Sequence, residues 1–159
     1  MGQGKRKPHS EKVIFLDELW TLIGSSGNRL AADYVLEIFK VIRGYGGSAI
    51  AATQDISDFF ALDDGKYGKA IINNSRIKFV LQLEEDEAFT VQKHLSLSDE
   101  EAMQVIRNNR GEALLCANRN KLVIDIKASP YVYDLITTKR SDLEKKRRRK
   151  LEERKQYDD

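Results

Sequence analysis

Three observations in the sequence predict an α/β fold. A short run of β-favouring apolar residues, Val13-Ile14-Phe15-Leu16, stops at the acids Asp17-Glu18, as a buried strand does when it is apolar on both faces in a parallel sheet. Behind it, Leu30, Tyr34, Val35, Ile38, Phe39 and Ile42 recur at helical spacing. Strand-like and helical patterns keep alternating and end in a hairpin, Glu112 to Ala117 and Leu122 to Ile126, around a polar turn at Asn118-Arg119-Asn120.

The elements follow in order. Met1 to Lys12 is polar, contains glycine and is interrupted by Pro8, and reads as a disordered lead-in over residues 1–12. The first strand leads through a glycine- and serine-rich loop, Gly24 to Asn28, to the helix over Leu30 to Ile42. Arg43-Gly44-Tyr45-Gly46-Gly47 breaks that helix, and Ser48 to Thr53 is a second core strand ending at Gln54. Ile56 to Phe60 opens a short helix, Asp63-Asp64-Gly65 turns the chain, and Lys69 to Asn74 is helical. In Ile77 to Leu83, Ile, Phe and Leu alternate with Lys, Val and Gln, the period of a third strand. Glu85 to His94 is a helix whose leading acids suit its positive end. Ser98-Asp99-Glu100-Glu101 is a capping box ahead of Ala102 to Ile106. The folded portion runs over 13–138, and the charged tail 139–159, free of glycine and proline, is helical or disordered.

Composition narrows the function classes. At 159 residues, 41% apolar and 33% charged, the chain has the size and balance of one soluble domain. Its net charge of +2 is uneven: residues 139–155 carry +6 and the remainder −4. The single cysteine, Cys116, excludes an intrachain disulfide and suits a reducing compartment. His9 and His94 have no metal-ligand spacing to it. No apolar run approaches the roughly 20 residues of a spanning helix, and no signal peptide is legible, so the expected location is the cytosol, with recruitment to the inner face of the membrane left open.

Two strand ends, one helix end and one tail could carry chemistry. An Asp at the end of a buried strand can hold the water shell of Mg²⁺, and the Glu beside it can polarise an attacking water, as Asp17 and Glu18 are spaced to do. The same pair also suits a solvated acidic loop. Gln54 ends the next strand, where an amide can hydrogen-bond both a water and a γ-phosphate oxygen, or simply mark a polar exit. Arg43 stands eleven residues earlier. It either complements a helix C-terminus or delivers charge to phosphate, within a subunit or across an interface. Lys145, Lys146, Arg147, Arg148, Arg149 and Lys150 could bind the phosphates of nucleic acid or an anionic membrane. The interleaved Glu144, Glu152 and Glu153 suit a solvated helix instead, and no aromatic is there to stack a base.

The ordered set VIFLDELW, IRGYGG, AIAATQDISDFF and IINNSRIKFVLQL resembles the Walker B and sensor region of conjugative-transfer (type IV secretion) ATPases, TraE- and TraC-like motors of the HerA–FtsK superfamily. HLSLSDEEAMQVI, RGEALLCANRNKLVIDI and KASPYVYDLITT extend the likeness to about Thr138. It implies a partial RecA-like core of mainly parallel sheet, closed by a hairpin and followed by a basic tail. By that resemblance Asp17 is the Mg²⁺-associated acid, Glu18 the catalytic glutamate, Gln54 the sensor and Arg43 the nucleotide-contacting arginine. It also implies ATP and Mg²⁺ as cofactors, and like subunits (a hexamer), other secretion-channel components and DNA as partners.

The sequence departs from that pattern in two ways. Gly44 stands where many relatives carry a basic residue, and the chain contains no G-x-x-x-x-G-K-[ST] loop. Gly2-Gln3-Gly4-Lys5-Arg6 has the wrong spacing. Such a loop supplies the phosphate cradle, so the expectation is a truncated or split motor, inactive by itself. Two other classes stay open: a non-catalytic module that docks on a motor, and a nucleic-acid binder acting through the tail.

Overall fold

The computed structural model describes residues 12–24 and 27–157, with side chains up to Arg149. The lead-in over 1–11 and the loop residues 25 and 26 lie outside the described residues. Contacts divide the chain into two compact units, one ending at Asp125 and the other beginning at Ile126.

In the first unit, β1 (Lys12–Leu16) is followed by α1 (Trp20–Ile23), α2 (Arg29–Val41), β2 (Gly47–Ala51), α3 (Ile56–Phe59), α4 (Lys66–Asn74), β3 (Ile77–Val80), α5 (Glu85–Leu95), α6 (Asp99–Arg107), β4 (Glu112–Ala117) and β5 (Asn120–Asp125). β1 and β2 pair in parallel, Lys12 opposite Gly47 and Leu16 opposite Ala51. β3, β4 and β5 form a separate antiparallel sheet in that order. This is the α/β class expected, with a parallel pair and a closing hairpin.

Helix boundaries follow from local chemistry. Asn28 caps α2 by accepting from the Leu30 N–H at 2.8 Å, satisfying a donor that has no partner within the helix. Ser98 caps α6 in a complete capping box: its hydroxyl accepts from Glu101 N–H, while the Glu101 carboxylate accepts from Ser98 N–H. Lys121 on β5 reaches the same carboxylate at 2.7 Å and the Ser96 carbonyl at 2.6 Å, tying α6 to the hairpin. That ammonium holds the Glu101 carboxyl below the usual glutamate range.

Two apolar cores result. Leu19, Ile23, Ala32, Val35, Leu36, Phe59, Tyr67 and Ile71 gather the helices that follow β1 and β2. Val80, Ala88, Val91, Leu97, Val105, Leu114 and Cys116 pack α5 and α6 on one face of the antiparallel sheet. Burial there raises the Cys116 thiol above its ordinary range, which keeps it protonated and unreactive.

Two strands differ from expectation. β1 is not buried on both faces, because Val13 and Phe15 are 66% and 61% exposed. β2 is its single partner among the described residues. In β3 the alternation is as read but the inward face is the other one. Val80 is buried and Lys78 partly so, while Ile77 and Phe79 point outward. Lys78 achieves this by donating its ammonium to the Ser75 carbonyl at 2.6 Å, which satisfies the charge and lets its aliphatic stem pack.

The second unit contains α7 (Pro130–Ile136) and α8 (Arg140–Tyr157). Ser129 caps α7 and Pro130 opens it, a position where the missing N–H costs nothing. Tyr133 donates to Asp142 at 3.0 Å, and Lys146 pairs with Asp134 at 3.2 Å. No helix of the described residues is long and apolar enough to cross a membrane.

Candidate functional site

The β1–β2 ladder continues one step beyond β1 and leaves two residues out of it. Ala52 donates to the Leu16 carbonyl at 2.8 Å and accepts from the Leu19 N–H at 2.9 Å. Asp17 and Glu18 lie between those two bonds and therefore project from the sheet as a turn. Leu19, fully buried, anchors the return of the chain to the core.

The turn is held from within. The Glu18 N–H donates to Asp17 Oδ1 at 3.0 Å. The Glu18 carbonyl accepts from the Thr21 hydroxyl at 2.8 Å and from the Thr21 N–H at 3.0 Å. Glu18 itself has φ of 50°, the left-handed region that costs a side-chain-bearing residue about 1–2 kcal/mol. Strain of that kind persists where the surroundings over-determine it.

Thr53 and Gln54 follow Ala52 directly, so the two acids and the amide share the C-terminal rim of the parallel pair. This is the rim at which open α/β sheets bind ligands. Asp17 and Gln54 are exposed and Glu18 half-buried. Asp55 then caps α3, accepting from the Asp58 N–H at 2.7 Å. Gly24 closes α1 against the same helix, and a β-carbon there would collide with the Asp58 carboxylate and the Trp20 carbonyl.

Arg43 is elsewhere. It lies in the single 3₁₀ turn Ile42–Tyr45 that precedes β2, at the N-terminal rim of the pair and exposed. Five strand residues separate the rims, on the order of 15 Å at the usual rise per residue. The structure brings Asp17, Glu18 and Gln54 together and leaves Arg43 apart from them.

Sequence reasoning missed Trp20. Its indole N–H donates to Glu18 Oε2 at 2.7 Å. The available signal was a half-buried tryptophan two residues from an acid, because such an indole needs an acceptor.

The basic residues of the tail are on α8. Lys145, Arg147 and Arg148 are exposed, and Lys146 is the partner of Asp134. Lys145, Lys146 and Arg149 line a cleft with Tyr133, Asp134 and Asp142, so its charge is mixed. Lys150 belongs to α8, but its side chain lies outside the described residues.

Among the described residues no cluster of His, Cys, Asp or Glu is arranged to hold a metal by itself. Mg²⁺ usually takes one or two carboxylates and completes its shell with water and substrate phosphate. The exposed Asp17 carboxylate at the rim fits such a role.

A mixed α/β unit with its acids at the end of a parallel pair suits a P-loop NTPase, and comparison with known proteins assigns the chain to that class, as an ATPase-like, motor-related domain. The chain resembles the structure of VirB4 of Thermoanaerobacter pseudethanolicus with a TM-score of 0.71 and 30% identity, over 78% of this chain and 33% of that one. The genome packaging NTPase B204 from Sulfolobus turreted icosahedral virus 2 shares the fold alone. Its complex with ATP-gammaS matches with a TM-score of 0.52 at 18% identity, over 74% of this chain and 52% of that one. Its complex with AMPPCP matches at 0.55 and 16%, over 74% and 53%. No curated protein matches. The TraG P-loop domain family matches residues 4–149, and the chain belongs to that family of conjugative-transfer ATPase-like proteins. It spans a third of the VirB4 chain and about half of the packaging NTPase.

Proposed function

We propose that this chain supplies the hydrolysis residues of an ATP-driven motor that moves DNA or protein through a type IV secretion channel at the inner face of the membrane. The observation that carries the reading is the escape of Asp17 and Glu18 from the ladder at Ala52, two residues before Gln54, which puts both acids at the rim where the second strand ends. In this reading Asp17 holds Mg²⁺ through water, an ion that neutralises charge on the transferring phosphate. Glu18 accepts the proton of the water that attacks the γ-phosphorus as the bond to ADP breaks. Gln54 orients that water and hydrogen-bonds a phosphate oxygen.

Arg43 stands at the opposite rim, which favours delivery of its guanidinium to a γ-phosphate in a neighbouring copy over one in its own subunit, within an assembled ring that is a hexamer by family resemblance. Arginines delivered in this way contribute 10³- to 10⁵-fold or so in other NTPases.

The test is ATP turnover by the full chain, with and without a separately supplied half carrying G-x-x-x-x-G-K-[ST]. Turnover that appears on mixing and is lost in Glu18→Gln is the expected result. No turnover from any mixture sinks the reading. A second reading, a non-catalytic module docking on a motor, predicts nucleotide-independent capture of a motor subunit. Any contribution of the tail to nucleic-acid binding rests on the exposed Lys145, Arg147 and Arg148. Deleting 139–159 would then remove a steeply salt-dependent affinity.

A further inference from the structure

We infer that Trp20 is a positioning residue for Glu18: its indole N–H fixes the carboxylate of the candidate water-activating acid. The inference rests on the role proposed for Glu18. It names a residue which that role did not need.

The backbone of the turn is already fixed at every point. Asp17 Oδ1 holds the Glu18 N–H, Thr21 holds the Glu18 carbonyl, and buried Leu19 pins the next residue. What remains free is rotation of the glutamate side chain. A long flexible side chain on a rim gives up roughly 1.5–2 kcal/mol of rotamer entropy when it is fixed, and an unheld carboxylate would sample several rotamers around the attacking water.

Trp20 removes that freedom in a specific manner. The indole N–H is a donor without acceptor capacity, so it can hold a carboxylate but cannot exchange roles with it. It engages Oε2, and among the described residues Oε1 accepts no hydrogen bond, which leaves that oxygen for a water. The residue is anchored: it opens α1, its half-buried ring packs against the Leu19 and Ile23 core, and its backbone carbonyl accepts from the Gly24 N–H at 2.6 Å. The short helix therefore transmits the rigidity of the core to one oxygen of Glu18.

Trp20 is the only tryptophan in the chain, so one indole ¹⁵N–¹H resonance reports the contact in the full-length protein without nucleotide. Replacing Glu18 by Ala should move that resonance upfield, and Glu37→Ala, which removes an exposed acid on α2, should leave it in place. An indole signal unmoved by Glu18→Ala overturns the inference. In the mixture with the phosphate-loop half, Trp20→Phe, which keeps the packing and loses the donor, should lower kcat on the order of 10- to 100-fold with KM for ATP unchanged. Should Trp20→Phe fail to fold, as read by circular dichroism, Trp20→His retains a ring donor and should recover part of the rate. Turnover lost in Glu18→Gln but full in Trp20→Phe overturns the positioning role and leaves the motor reading standing. Absence of turnover in every form sinks both, whatever the indole resonance does.

Discussion

The two sheets of the first unit use similar material for different ends. The antiparallel sheet is packed on α5 and α6, its ion pair and capping box are complete, and no residue proposed for chemistry stands on it. The parallel pair is thinner. It has two strands, one face largely uncovered, a left-handed glutamate at its exit, and every group proposed for hydrolysis at its rims. Exposed faces and left-handed residues occur in both, since Ile77, Phe79 and Leu122 are exposed and Ser96 and Asn118 have positive φ beside the antiparallel sheet; what sets the parallel pair apart is that the proposed chemistry lies at its rims.

The contrast can be broken most severely at Leu19, which is fully buried and lies beside the acids. Leu19→Ala should cost about 3 kcal/mol in urea unfolding, whereas Phe15→Ser, on the uncovered face of β1 at 61% exposure, should cost less than about 0.5 kcal/mol. Equal costs would mean that this face is covered after all. A sharper test compares two variants that both lack the carboxylate. Glu18→Gly should be more stable than Glu18→Ala by about 1 kcal/mol, because only glycine is at ease at φ of 50°. The reverse order would remove the strain from the account.

The smallest effect lies in the antiparallel sheet. Glu101 is depressed by Lys121, so its contribution is present above the unfolded value near 4.5 and is lost as pH falls through the folded one. Lys121→Met should flatten the acid limb of the stability–pH curve, by ~1 kcal/mol or less for a half-exposed pair. An unchanged acid limb would show that the pair contributes nothing measurable.

How much of this was legible in sequence depended on whether the signal was local. The capping box at Ser98 and Glu101, the helix behind Asn28 and the turn at Asn118 are set by residues within a few positions of each other, and they stand where the pattern places them. The acids and Gln54 were legible for a related reason: consecutive parallel strands put their C-terminal ends side by side. Arg43 shows the limit. Eleven residues in sequence do not say which end of a strand a side chain occupies, and here the count spans β2 from one rim to the other. The inward face of β3 was illegible because Lys78 found a carbonyl for its ammonium, an outcome that periodicity does not encode. Trp20 was missed because its importance is a contact, not a spacing.

The helix α3 begins two residues after Gln54 and is only four residues long. Glu87 of α5 accepts from its first N–H at 3.4 Å, and Phe60 at its end stacks on the ring of His94, centroids 3.8 Å apart. The segment that follows Gln54 is thus joined to α5, and through it to the antiparallel layer, by two contacts rather than one.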